Sequence, residues 1–172
     1  FSRRVVGDFS PSAFAVKTRS GRVLRPSCAT TRPAAAPSKN HTVLLIGELG
    51  REPDDPPVSV EVTGSVPLED GHNAQGLSGP VTALAEGPTL ALAMSFAPGA
   101  IPSDCPASTR QVVMVVWTGG VRPGPAANQE LHRIGYRVTV GSEQIVPFAL
   151  GDLNDRDNYV HLCLDRPGRA VQ

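Results

Sequence analysis

Gln111-Val112-Val113-Met114-Val115-Val116-Trp117 and Asn158-Tyr159-Val160-His161-Leu162-Cys163-Leu164-Asp165 are the stretches whose reading decides the fold. The first is apolar at both sets of alternating positions, the pattern of a strand covered on both faces at the centre of a packed sheet. The second sets Val160, Leu162 and Leu164 on one face and Tyr159, His161 and Cys163 on the other, because side chains alternate along a strand. Between them, Tyr136-Arg137-Val138-Thr139-Val140 alternates in the same way. Gly141-Ser142 then supplies a hairpin turn, with glycine taking the positive φ such turns require. Residues 110–165 are therefore expected to hold three or four strands and the middle of the core.

Outward from this region the strand signals continue toward the N-terminus. Val58-Ser59-Val60-Glu61-Val62-Thr63 alternates cleanly, with its valines expected to face inward. Thr89-Leu90-Ala91-Leu92-Ala93-Met94-Ser95-Phe96 alternates large residues with small ones, and Val43-Leu44-Leu45-Ile46 is a short continuous apolar run. Residues 64–88 are rich in Gly and Pro and read as a loop in which only Val81-Thr82-Ala83-Leu84 is strand-like. Residues 128–133 suit one helical turn, and nothing after them sustains a 3.6-residue period. About seven to nine short strands with regular turn signals point to an all-β fold. The expected layout is a two-sheet antiparallel β-sandwich, immunoglobulin-like or jelly-roll, over residues 41–166. An irregular N-terminal arm with a Pro/Ala-rich linker (residues 1–40) precedes it, and a short tail (167–172) follows. No internal repeat is present.

The 172 residues fall within the size of one domain. Seventeen Pro and seventeen Gly leave little room for long helices. Sixteen Lys and Arg balance sixteen Asp and Glu, which removes the electrostatic case for a nucleic-acid or anionic-membrane partner. The basic residues crowd the start, where Arg3, Arg4, Lys17, Arg19, Arg22, Arg25 and Arg32 meet only Asp8. Such a run is either solvated or faces an acidic neighbour. No apolar run approaches the roughly 20 residues a membrane-spanning helix needs. The chain opens at Phe1 without a charged and apolar leader, so a processed form is expected, in a secreted, periplasmic or cell-surface location.

Three cysteines fit one disulfide and one free thiol. Cys28 and Cys105 both lie among turn formers and are the expected pair, which leaves Cys163 as a buried thiol in an apolar strand. Asn40-His41-Thr42 has the form of a glycosylation sequon, meaningful only where the machinery exists.

The strongest candidate for site chemistry is Gly151-Asp152-Leu153-Asn154-Asp155-Arg156-Asp157-Asn158. Asp152, Asn154, Asp155 and Asp157 offer oxygen donors on a turning backbone, which suits calcium. An EF-hand register fails, because Arg156, Asp157 and Cys163 fall where an oxygen ligand, the glycine and the closing glutamate belong. The same residues also make ordinary turns by bonding their own backbone. Calcium is the only cofactor the sequence suggests.

Catalytic sets are thin. Gly76-Leu77-Ser78-Gly79 falls short of a nucleophile elbow. His41, His72, His132 and His161 show no metal spacing, and His161 with Cys163 is an in-strand, same-face pair better suited to a core than to a nucleophile. No phosphate-binding glycine loop is present. Trp117 suits either the core or a sugar-stacking platform, with few other aromatics to support the latter.

The function these features favour is a non-enzymatic structural or interaction module of an extracellular or envelope assembly. Its arm carries Val5, Val6, Phe14, Val16, Val23 and Leu24, apolar residues suited to docking on a sheet edge of another copy and, by repetition, to building a filament. A secreted carbohydrate- or calcium-binding β-sandwich module is the alternative, and a hydrolase the third reading.

Overall fold

The structure is a computed structural model that describes residues 1–34, 36–119, 126–153, 157–168 and 170–171. Strand outweighs helix, 37% to 10%, and the pairings are antiparallel, so the all-β class holds. The layout differs from the expected one. The chain divides into two compact units, Phe1–Glu86 and Gly87–Gln172, and the described strands form four open sheets, two in each unit, where one two-sheet sandwich behind an arm was expected.

The first unit contains β1 (Phe14–Thr18), β2 (Val23–Leu24), β3 (Cys28–Thr30), β4 (Leu44–Ile46), β5 (Pro57–Val62) and β6 (Ser78–Pro80). Its four-stranded sheet has the order β2-β1-β5-β6, and β3 pairs with β4 in a separate ribbon. β1 is buried at four of its five positions, with only Lys17 exposed. It lies between two partners, matching Val16 to Leu24 on one side and to Val60 on the other. The core of this unit gathers Val5, Ala13, Phe14, Val62, Val66 and Ala74, with Val43, Leu45 and Leu68 packed around them. The valines of β5 face inward only by degrees. Val62 is buried, Val60 half-buried and Val58 exposed, so this strand leaves the core toward its start.

The irregular arm is thereby corrected. Val5 donates its N–H to the Asn40 carbonyl at 2.7 Å and bridges Leu68, while Val6 donates to the Pro67 carbonyl at 3.0 Å. Val5, Phe14 and Val16 are 1–2% exposed, inside their own unit's core. Of the six residues expected to seek another copy, Val6 and Val23 remain exposed and Leu24 is half-buried. Pairing within the chain wins because it avoids the entropic cost of association. The presumed linker is also packed in part, with Ala34 and Lys39 buried.

The second unit contains β7 (Leu90–Phe96), β8 (Gln111–Trp117), α1 (Ala126–Gly135), β9 (Val138–Val140), β10 (Glu143–Ile145), β11 (Ala149–Gly151), β12 (Tyr159–Leu164) and β13 (Ala170–Val171). Its sheets have the orders β11-β12-β8-β7 and β10-β9-β13. As expected, β8 sits inside its sheet, buried from Gln111 through Val116, and β12 is buried along its whole length. Val113, Val115, Val160, Leu162 and Leu164 form one core cluster with Val138. On the opposite face the register sets Tyr159 beside Val116, His161 beside Met114 and Cys163 beside Val112. The β9–β10 hairpin turns at Gly141, φ +63°, where the sequence placed it.

α1 is longer than the single turn expected. Gln129, Glu130, Leu131 and Arg133 are good helix formers, and an exposed i,i+3 pair joins Arg133 to Glu130. Arg133 also donates to the Pro147 carbonyl at 2.6 Å, which ties the helix to the segment after β10.

Truncation should separate the buried arm residues from the exposed ones. Phe14→Ala is expected to lower unfolding stability by about 3–5 kcal/mol, whereas Val23→Ala should stay within about 0.5 kcal/mol. Denaturant midpoints for both variants check this, and equal, small effects would restore a loosely attached arm.

Candidate functional site

The cysteine pairing differs from the expected one. Cys105 bonds Cys163, with Cα atoms 5.8 Å apart, and Cys28 is exposed and free. Cys163 is buried as anticipated, but as half of a disulfide. The reason lies in strand alternation: β12 turns Tyr159, His161 and Cys163 to the same face, and residues 101–105 cross that face after β7. Gly151 of β11 makes room for this crossing. A Cβ there would lie 2.6 Å from Asp104 Oδ1 and 3.2 Å from the Cys105 nitrogen.

Around the disulfide three polar side chains converge. His161, 1% exposed, has Nδ1 at 3.0 Å from the hydroxyl of exposed Ser103. Its Nε2 lies 3.6 Å from Asp152 Oδ2, too long for a hydrogen bond but close enough for electrostatic attraction. The Cys105 N–H donates to Ser103 Oγ at 3.3 Å. Asp152 holds a left-handed backbone, φ +63°, a conformation Asp tolerates better than most residues, and its N–H donates to Asp104 Oδ1. The sequence placed His161 beside Cys163 but could not show Ser103, which is 58 residues away along the chain. No motif connects the two.

The proposed calcium ligands do not come together as a described set. Asn154 and Asp155 lie outside the described residues. Asp152 faces His161, and buried Asp157 accepts the Tyr159 N–H at 2.7 Å, the local turn bond that Asp commonly makes. Among the described residues no group of three His, Cys, Asp or Glu side chains is arranged to hold a metal ion.

Trp117 is half-buried at the end of β8, edge-on to Tyr136, and donates its indole N–H to the Tyr136 hydroxyl at 3.3 Å. That hydroxyl also lies 3.1 Å from His132 Nε2, so the three rings form one hydrogen-bonded group. Burial holds the His132 imidazole below its ordinary value of 6.5. Beside Tyr136, an apolar cleft of about 390 Å³ opens along β7 and β9, with Leu90, Leu92, Met94 and Val138 among its lining residues.

In the first unit the β3–β4 ribbon presents a second surface. Cross-strand partners share a face, so the pairs Cys28–Ile46 and Thr30–Leu44 point one way. Ala29 and Leu45 point the other way, into the core. Leu44 and Ile46 are 48% and 49% exposed, on the face that carries the free thiol.

No family model matches the chain, and comparison with curated proteins and with solved structures finds no match for it.

Three outcomes are expected. Cys105→Ser should cost the second unit roughly 2–4 kcal/mol, because the bond closes a long loop in the unfolded chain. After mild reduction that spares the Cys105–Cys163 bond, whose Cys163 is buried, only exposed Cys28 should react with iodoacetamide, read by peptide mass spectrometry. For His132 the folded imidazole resists protonation, so the unfolded chain takes up the proton first. Its effect on stability is therefore absent well above pH 6.5 and becomes destabilising as the pH falls from there toward the lower folded value. His132→Gln should flatten that part of the melting-temperature profile between pH 7 and 5, measured against the unsubstituted chain.

Proposed function

We propose that this chain is an interaction module of an extracellular or envelope assembly, and that it self-associates through the outward face of the β3–β4 ribbon, not through its first residues. The observation that carries the reading is the joint exposure of Leu44, Ile46 and the Cys28 thiol on one face. Two large aliphatic side chains held in water gain about 25 cal/mol for each Å² of apolar surface a partner covers. The thiol indicates what that partner is. A structural disulfide such as Cys105–Cys163 persists where the surroundings oxidise thiols. In such surroundings an exposed, odd cysteine pairs between molecules.

A second copy fits both requirements. In a two-fold contact the same patch faces itself, so Cys28 near the axis meets Cys28 of the other copy while Leu44 and Ile46 of each cover the other. A disulfide formed there would lock a dimer that apolar contact had already oriented. The Cys105–Cys163 bond and the lack of any described helix long and apolar enough to cross a membrane are compatible with an extracytoplasmic location.

Non-reducing electrophoresis and native mass spectrometry of the air-oxidised protein test this reading. A covalent dimer linked at Cys28 is expected. Cys28→Ser should leave a dimer that dissociates on dilution, and Leu44→Lys with Ile46→Lys should give a monomer. A monomer that keeps a titratable Cys28 thiol while Cys105–Cys163 is oxidised would overturn the proposal.

A further inference from the structure

Independently of the ribbon, we propose that Ser103, His161 and Asp152 form a nucleophilic site that accepts acyl groups from small, unhindered esters. The observation behind it is the line of three side chains: an exposed serine hydroxyl 3.0 Å from His161 Nδ1, and the Asp152 carboxylate 3.6 Å from His161 Nε2. A serine hydroxyl is a weak nucleophile unless a base takes its proton as it attacks. The geometry supplies that base.

The neutral imidazole carries one ring proton, and a carboxylate beside Nε2 favours the tautomer that places it there. Nδ1 is then the acceptor, and the Ser103 O–H points to it. When Ser103 Oγ bonds to the carbonyl carbon of an ester, its proton passes to Nδ1 and the imidazolium is stabilised by Asp152. As the tetrahedral intermediate collapses, the C–O bond to the alcohol breaks, and the alcohol leaves with the proton from Nδ1. Water repeats the sequence on the acyl-serine: it gives one proton to Nδ1, its oxygen bonds to the carbonyl carbon, and the acid departs as Ser103 regains its proton. The Cys105 N–H, 3.3 Å from Ser103 Oγ, helps to hold the hydroxyl oxygen beside Nδ1.

The order of the ring nitrogens is the reverse of the familiar serine triad, in which Nε2 faces the serine. The chemistry requires only that one nitrogen accept the serine proton while a carboxylate favours a proton on the other, and the distances suit this: Ser103 Oγ stands 3.0 Å from Nδ1 and the Asp152 carboxylate 3.6 Å from Nε2. The surroundings keep the imidazole in place. His161 stands in a buried strand, and the loop bearing Ser103 is fastened two residues later by the Cys105–Cys163 bond. Ser103 is exposed, so a small ester meets it directly from solvent. Ser103 and His161 are the catalytic residues, and Asp152 is a positioning residue.

The test uses the full chain with its disulfide oxidised, a fluorophosphonate reagent and p-nitrophenyl acetate. Peptide mass spectrometry is expected to place the phosphonyl adduct on Ser103, and nitrophenol release should exceed that of the urea-unfolded chain. Ser103→Ala, a surface change, should abolish the adduct and lower hydrolysis about 10²-fold or to background. Asp152→Asn keeps a residue that tolerates the positive φ and removes the charge. It should slow phosphonylation about tenfold or more while the melting temperature and the Cys105–Cys163 bond are retained. The proposal is overturned by an unlabelled Ser103 in the native chain, by hydrolysis unchanged in Ser103→Ala, by Asp152→Asn reacting at the unsubstituted rate, or by equal labelling of native and unfolded protein.

Discussion

The pairing of β8 with β12 is the contact on which the second unit depends. Both strands are buried on both faces, so two sets of side chains must be covered at once. One face, with Val113, Val115, Val160 and Leu162, packs with Val138 of the smaller sheet. The other carries Tyr159, His161 and Cys163. An irregular segment crosses it, held by the Cys105–Cys163 bond. The disulfide does there what strand pairing does elsewhere, because a loop lacks the ladder of hydrogen bonds that would hold it to a sheet. The same arrangement brings polar groups of the loop onto a buried histidine, which creates the candidate site.

The first unit solves the problem differently. Its centre is β1, which pairs on both sides and fills the core with Phe14 and Val16. Residues that look like a detached arm along the chain are the inner strand of its sheet. A segment so placed cannot leave to join another molecule without opening the core it fills. The apolar surface that remains for contact lies instead on the short β3–β4 ribbon, which covers the core with Ala29 and Leu45 and exposes its other side. A two-stranded ribbon has two faces and only one core to cover, and Leu44 and Ile46 stand on the face left over.

The two proposals thus draw on different units and different chemistry. The ribbon offers an apolar patch and a thiol, which suit a contact between molecules. The Ser103–His161–Asp152 line offers proton transfer in a largely buried setting, which suits a reaction. What links them is cysteine usage: one pair is consumed in holding the loop that carries Ser103, and the odd one is left exposed.

The sequence by itself determined the all-β class, the buried strands β8 and β12, their alternation of faces and the hairpin at Gly141. Each of these follows from side-chain periodicity or from a backbone requirement only glycine meets readily, both local properties. It also indicated that Asp157 makes a turn and that Cys163 is buried. The disulfide partner, the burial of Phe14 and Val16, the division into two units and the meeting of Ser103 with His161 were decided by tertiary structure alone. Val16 is close in sequence to Val23, yet one is buried and the other 62% exposed, because burial depends on which strands flank a residue. Likewise Cys105 sits among turn formers much as Cys28 does. Only the path of residues 101–105 across the face of β12 brings its sulfur to Cys163, since two cysteines bond according to their distance in space and not their neighbours along the chain.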